Sequence, residues 1–485
     1  MILSESPADV SQNIGEANKT SSLRRLSERL SFGLFLLALA WAPFPLGSNR
    51  PWSWSLLCIV ISVSWLLWCG SVWAHSEAAA NHARRILGPM VLGILALGWG
   101  AIQVLPFVPQ TWAHPVWQLA GKVLCASARG TISMAPWRTE TELMKLVTYA
   151  MTAWLAYILA RRSNRASFLL NALIAIGALY AAYALVLASI GTNQLEILYG
   201  PGVTMHVVSG PFTNRNSYAT YAGLITLCAG VRLVDGGWDF VAVARGLRRT
   251  VLALMEYLFG RGIPYLLAAG FALSSVIATG SRAGNFATIT AIASLVLLSS
   301  ALGVRQGRGG WSAGAAVAAF VCIAGLFTVS GDFLASRLND ITVLGLHDDT
   351  RLLLWNAAER MVHDSPFLGL GLGTYQSAYP LYSDVMLPFI MDKAHNDYLE
   401  LAAGLGLAAA LLWWTACVWL VGICVFGIYE RKRNRLYAML AVGASILVGV
   451  HSVFDFSLQI PAISLTYATI LGIGVAQAFR TREQG

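Results

Sequence analysis

What most constrains this chain is a recurring run of about 20 apolar residues, the length an α-helix needs to cross roughly 30 Å of hydrocarbon. Twelve such runs are read along its 485 residues, at 31–47, 52–73, 86–108, 143–160, 166–190, 216–234, 263–280, 285–304, 312–330, 397–427, 437–455 and 462–479. No soluble core could hide them all. Charged residues make up only 12% of the chain, about half of the roughly 25% usual in soluble proteins. Charge this sparse excludes a disordered or nucleic-acid-coating chain. The lipid bilayer is the expected solvent, and no nucleic acid is an expected partner. The fold class is accordingly an all-α polytopic membrane protein with about 12 transmembrane helices.

The first run follows Arg24, Arg25 and Arg29 and contains Ala38-Leu39-Ala40, which looks like a signal-peptide cleavage site. Because the apolar stretch continues from Trp41 to Leu46, it reads instead as an uncleaved first span. With the N-terminus inside, 22 of the 33 Lys and Arg fall in the inner segments, which are the shorter ones. That is the positive-inside pattern, and both termini are expected in the cytoplasm. Six of the seven cysteines lie in spans and only Cys125 sits in an outer loop, so no disulfide is expected.

The resulting organisation is a cytoplasmic tail at 1–30, spans one to nine over 31–330, a large outer loop at 331–396, spans ten to twelve over 397–479, and a tail at 480–485. Inside, 235–262 interleaves Trp238, Phe240, Val241 and Leu247 with Arg245, Arg248 and Arg249, as a helix lying in the inner interface would. Outside, 331–396 is too long for a plain connection and too aromatic for disorder, so it is expected to fold as a helical subdomain capping the outer face.

Ionisable residues at spans cost about 2.5–3.5 kcal/mol on insertion scales and mark function by default. Four clusters qualify, all on the outer side. In Gly210-Pro211-Phe212-Thr213-Asn214-Arg215-Asn216, one Asn is explained as a helix cap, but not two flanking an arginine. A helix N-terminus with an added guanidinium suits an anion. In Thr279-Gly280-Ser281-Arg282-Ala283-Gly284, the tight turn denies Arg282 an easy snorkelling route away from the bundle. The large loop carries His347-Asp348-Asp349-Thr350-Arg351, then Trp355 and Gly369-Leu370-Gly371-Leu372-Gly373. The two acids offer hard oxygens to a divalent metal, although adjacent acids more often face solvent or cap a helix. The glycines suggest a nucleotide loop, but no strand precedes them. Last comes Lys393-Ala394-His395-Asn396-Asp397-Tyr398-Leu399-Glu400, where the loop re-enters the membrane. His451 and Asp455, four apart as on one helical face, form a weaker second candidate.

Several arginines and a histidine thus converge on the outer leaflet without a cysteine cluster or a convincing metal cage. Arginine supplies permanently charged, often bidentate donors for phosphate oxygens, and histidine a base that works near neutral pH. Together they suit a lipid phosphate or pyrophosphate ester attacked by a hydroxyl. A transporter or flippase for an anionic lipid-linked glycan is the alternative, but its charges should gather near the bilayer midplane.

At these residues the chain resembles the O-antigen ligase/polymerase superfamily of bacterial envelope glycosyltransferases, with the general plan of C-type glycosyltransferases. The resemblance rests on Gly210-x-Phe212-x-Asn214-Arg215-Asn216, Ser281-Arg282-Ala283-Gly284, Arg351-x-x-x-Trp355 with Pro366-Phe367-x-Gly369-x-Gly371, and His395-Asn396-Asp397-Tyr398-Leu399-Glu400. It implies an inner-membrane enzyme of lipopolysaccharide or related polysaccharide biosynthesis. Such an enzyme passes a glycan from an undecaprenyl-pyrophosphate donor to a glycan or lipid A core acceptor at the periplasmic face, with no cofactor or metal. Carried over by residue, His395 is the catalytic position, and Arg215, Arg282 and Arg351, with Asn214, Asn216, Asn396 and Asp397, bind substrate. One departure stands out. A family arginine often precedes the Gly-x-Phe motif, and here that stretch reads Met205-His206-Val207-Val208-Ser209.

Overall fold

The computed structural model describes residues 7–72, 76–125, 129–200, 208–241, 246–305, 347–384, 390–431 and 434–479, with backbone alone for 7–21, 76–79, 238–241, 247, 303–305 and 347–350. The expected ninth span at 312–330, with Cys322, lies outside the described residues, as do Met205-His206-Val207 and the tail at 480–485. The side chains of His347, Asp348, Asp349, Trp238, Phe240, Val241 and Leu247 lie outside them too.

Among the described residues there is no strand. The helices run in chain order as α1 (Pro7–Trp41), α2 (Pro51–Val72), α3 (Ser76–Arg85), α4 (Leu87–Ile102), α5 (Val116–Leu124) and α6 (Pro136–Leu159). There follow α7 (Ser163–Ser189), α8 (Gln194–Tyr199), α9 (Arg215–Val241), α10 (Leu247–Phe259), α11 (Ile263–Ala278) and α12 (Arg282–Arg305). The last group is α13 (His347–Asp364), α14 (Tyr375–Tyr382), α15 (Asp397–Leu405), α16 (Leu407–Glu430), α17 (Arg435–His451) and α18 (Pro461–Ala478). By length and hydropathy six of these can cross a membrane: α2, α7, α9, α12, α16 and α18. A seventh joins them if α10 and α11, which meet at a 76° bend, count as one span. The chain is a multi-pass helical membrane protein.

The third span ends as a helix at Ile102 rather than 108, the fourth begins at Pro136 rather than 143, and the sixth runs on to Val241 rather than 234. Three further boundaries change. The helix of the first span starts at Pro7 rather than near 31. The tenth span, expected unbroken over 397–427, is two helices parted at Gly406, whose φ is +79°. The eleventh, expected to reach 455, stops at His451.

The interior is built by the helices that look least like membrane spans. The apolar windows of α18 and α9 are 94% and 72% buried, against 22% for α16 and 28% for α2 and α12. Lipid is as apolar as leucine, so helices in a bilayer associate through small residues and hydroxyls rather than by hiding large apolar ones. Within α18, Thr466 and Thr469 donate to the carbonyls of Ala462 and Leu465, each at 2.7 Å, and bring no unsatisfied hydroxyl inward. Gly472 lies so near α6 that a Cβ there would sit 2.5 Å from the Ala153 carbonyl oxygen. α9 and α12 are parallel neighbours, with Gly284 against Ala219 and, one turn on, Thr288 against Gly223.

That parallel pairing sets the starts of α9 and α12 side by side. The turn from α17 to α18 and the start of α15 join them at the same end of the bundle. A glycine clasp closes that end. Leu370 N–H donates to Ala403 O at 2.9 Å and Gly371 N–H to Gly404 O at 3.0 Å. Leu407 N–H reaches Pro366 O at 2.7 Å across the α15–α16 break. Gln103, at the end of α4, fills the clasp, donating to Leu368 O and Gly404 O at 2.8 Å and accepting from Leu372 N–H at 3.2 Å. The Gly369–Gly373 run therefore spends its central amides on the protein's own backbone, which removes the nucleotide-loop reading.

Candidate active site

His395 is held from both sides. Its φ is +51°, a left-handed conformation that a side chain other than glycine rarely adopts. Before it, Ala394 N–H donates to Glu400 Oε2 at 2.9 Å, and Lys393 Nζ pairs with Glu400 Oε1 at 3.3 Å. After it, Asn396 caps α15, its Oδ1 accepting from Tyr398 and Leu399 N–H at 3.0 Å. Trp355 Nε1 leans on the His395 carbonyl at 3.4 Å, and the imidazole stands edge-on to Phe456 with ring centres 4.8 Å apart. Strain of this kind costs about 1–3 kcal/mol and persists only where the surroundings over-determine it.

The imidazole so presented faces a carboxylate. His395 Nδ1 is 3.4 Å from Asp455 Oδ1, close enough to pair but not aligned as a hydrogen bond. The Asp455 side chain is fully buried, while His395 keeps 28% of its side-chain surface. Asp455 also accepts from Asn216 Nδ2 at 2.6 Å and from Phe456 N–H at 2.8 Å. Burial pushes its carboxyl up, but His395, His451 and the Phe456 N–H together hold it below the ordinary carboxylate range. It is therefore an anion beneath an imidazole.

The residues singled out in the sequence fall into two groups. Asn216, through Asp455, shares the His395 site, and Asn214 sits in the same turn, its Oδ1 accepting from Asn216 N–H at 2.8 Å. Arg215, half-buried, opens α9 between them. Arg282 opens α12 beside the second turn of α9; it is exposed and, among the described residues, has no hydrogen-bond or ion-pair partner. Arg351 on α13 is near enough for its charge to act on His451. The second group faces inward. Asn396 is a helix cap. Asp397 is enclosed by donors: Ser452 Oγ at 2.8 Å, Gln459 Nε2 at 3.1 Å and Leu458 N–H at 3.2 Å. Burial pushes its carboxyl up to about 7 despite those hydrogen bonds.

His451 and Asp455 do not share a helical face. α17 ends at His451, and Asp455 lies in the following turn, its N–H on the His451 carbonyl. His451 is buried beneath, its Nδ1 3.0 Å from Ser457 Oγ. Pairing Asp455 with His395 was beyond the sequence, where the only signal was an acid near the outer end of a span. Glu400 and Gln459 were missed as well. Lys393 bonds Gln459 as well as Glu400, and although burial works against its charge, Glu400, Glu142 and Asp392 hold its ammonium above the ordinary lysine value.

Fold and site together define the class: a multi-pass membrane protein with a histidine–carboxylate pair and several arginines at one end of its bundle. Residues 267–414 match the family described as O-antigen ligase. The match supports the O-antigen ligase/polymerase superfamily for this chain, and with it a membrane enzyme of the glycan-transferring ligase or polymerase kind. It contains Arg282, Arg351 and His395, whereas Asn214, Arg215, Asn216 and Asp455 lie outside it and are joined to it by the fold. No curated protein matches the chain.

Proposed function

We propose that the protein transfers a glycan from an undecaprenyl-pyrophosphate donor to an acceptor hydroxyl at the periplasmic face of a bacterial inner membrane. The acceptor is a growing glycan or the lipid A core. The observation that carries this reading is an accessible imidazole opposed by a buried carboxylate at the bundle end where Arg215 and Arg282 begin neighbouring helices. The excess of Lys and Arg on the opposite side supports the periplasmic assignment.

With Asp455 against Nδ1, His395 carries its proton there and keeps the Nε2 lone pair for the acceptor. As the acceptor oxygen bonds to the anomeric carbon, its proton passes to Nε2. The bond from that carbon to the pyrophosphate oxygen breaks, and its electron pair leaves with the lipid pyrophosphate. Attack opposite the leaving group inverts the anomeric centre. Proton acceptance of this kind is worth about 10²–10⁴-fold in rate. Asp455 stabilises the imidazolium as it forms. Arg215 and Arg282 offset the charge growing on the pyrophosphate, the larger electrostatic contribution. Arg351 adds positive charge from the α13 side.

The test is transfer by the purified protein from a lipid-pyrophosphate oligosaccharide to alternative acceptors, with and without chelator. Wild-type protein should transfer under both conditions, and Arg282→Ala should be inactive while still inserting into the membrane. Full activity in Arg282→Ala, or transfer that stops with chelator, contradicts the proposal.

A further inference from the structure

Asp397 is the neighbour of His395 and Asn396 in sequence, and the simplest reading gives it to the substrate. Its surroundings say otherwise. Two segments carry the two halves of the site: 393–397 carries His395, and 452–459 carries Asp455. Asp397 joins them with both its backbone and its side chain. Its N–H donates to Ser452 O at 2.9 Å, while its carboxylate takes Ser452 Oγ and Leu458 N–H on Oδ2 and Gln459 Nε2 on Oδ1. Gln459 closes the loop by accepting from Lys393 Nζ, at the start of the first segment. The bonds fall on both sides of Asp455, at 452 before it and at 458 and 459 after it.

We infer that Asp397 and Gln459 are positioning residues, a clamp that sets the separation of His395 from Asp455, and that Asp397 does not bind substrate. This rests on the reading of His395 as the base. The 3.4 Å gap is not maintained by any aligned bond between the two side chains themselves. His395 is also in a left-handed conformation that would relax if its neighbours let go. What fixes the gap is therefore the frame around it. Apart from the His395 ring itself, which meets Asp455 and Phe456, the side-chain hydrogen bonds that cross directly between the two segments, among the described residues, are those of Asp397 and Gln459.

The experiment uses the full-length protein in lipid nanodiscs with a lipid-pyrophosphate oligosaccharide donor. Assayed at about pH 9, where Asp397 is ionised and two facing carboxylates repel, Asp397→Asn and Gln459→Glu each break the Gln459–Asp397 bond while keeping side-chain shape. Each should lower kcat by about 10²-fold, the usual cost of roughly 1 Å of misplacement, with KM for the donor unchanged. The double variant Asp397→Asn with Gln459→Glu reverses the bond: the new amide donates to the new carboxylate, which still accepts from Lys393. It should recover most of the lost kcat. A merely structural or substrate-binding Asp397 predicts no such rescue. If Asp397→Asn does not insert, Gln459→Glu and the double variant carry the comparison. A raised donor KM at unchanged kcat, or a double variant no better than the singles, overturns the clamp. His395→Ala is measured alongside. If it retains activity, the reading of the base fails. If it is inactive while the clamp variants turn over normally, only the clamp fails.

Discussion

The glycine clasp and the His395 turn lie at the same end of the molecule and close it with opposite use of their polar groups. In the clasp, Leu370 and Gly371 amides and the Gln103 side chain are spent on backbone partners. In the turn, the flanking residues are equally well tied, yet the imidazole between them keeps surface and lacks an aligned partner. The glycine run, whose spacing suggests a phosphate loop although no strand precedes it, is a fastener. The difference teaches that a motif's chemistry is read from which polar groups remain unspent after folding.

This contrast breaks cleanly if the two regions respond alike to substitution. The largest effect expected is on His395. His395→Gly should lose about 10²–10⁴-fold in transfer rate. Glycine adopts φ +51° freely, which offsets the lost contacts with Asp455 and Phe456, so thermal stability should stay close to wild type, as read by a melting curve in detergent. Gly406→Ala should do the reverse. Its φ is +79°, and a Cβ would meet Phe367 O at 2.4 Å. A stability loss of more than about 2 kcal/mol is expected, with activity per folded molecule retained. Gln103→Leu removes three hydrogen bonds, two of them buried, from the clasp and should cost about 1–3 kcal/mol, again without a change in donor KM.

The smallest effect sharpens the comparison through pH. Asp397 is raised from 3.8 to about 7 by burial, with the charge of Glu400 adding to the rise and the hydrogen bonds from Ser452, Gln459 and the Leu458 N–H opposing it. A carboxyl raised on folding favours the folded state while protonated. Its contribution is complete below pH 3.8 and is lost as pH rises through about 7. Asp397→Asn should flatten the stability–pH curve across that window, as read by melting temperature. A Gln103 variant should leave the slope as it is.

Much of the fold was legible from local pattern. Runs such as 52–73 and 166–190 announce helices in lipid because length and hydropathy are carried by consecutive residues. Less visible was the break at Gly406, hidden inside an apolar stretch, since its cause is the Phe367 carbonyl packed against it from another part of the chain. The centrality of α18 showed in the sequence only as a lower mean hydropathy than that of α2 or α16, because helices in lipid associate through small residues and hydroxyls rather than large apolar ones.

For the site, sequence alone determined that His395, Arg215 and Arg282 stand out, because an ionisable side chain at a membrane span is costly wherever the helix ends up packing. It could not say that Asp455 opposes His395, that Asn216 supports Asp455, or that Asp397 turns inward. Those relations join residues from separate segments through polar contacts a few ångströms long. Only the packing of α9, α15, α17 and α18 brings them within reach. Hydropathy is a sum over neighbours along the chain, whereas an imidazole and the carboxylate that faces it are a coincidence in space, and that coincidence belongs to the tertiary structure.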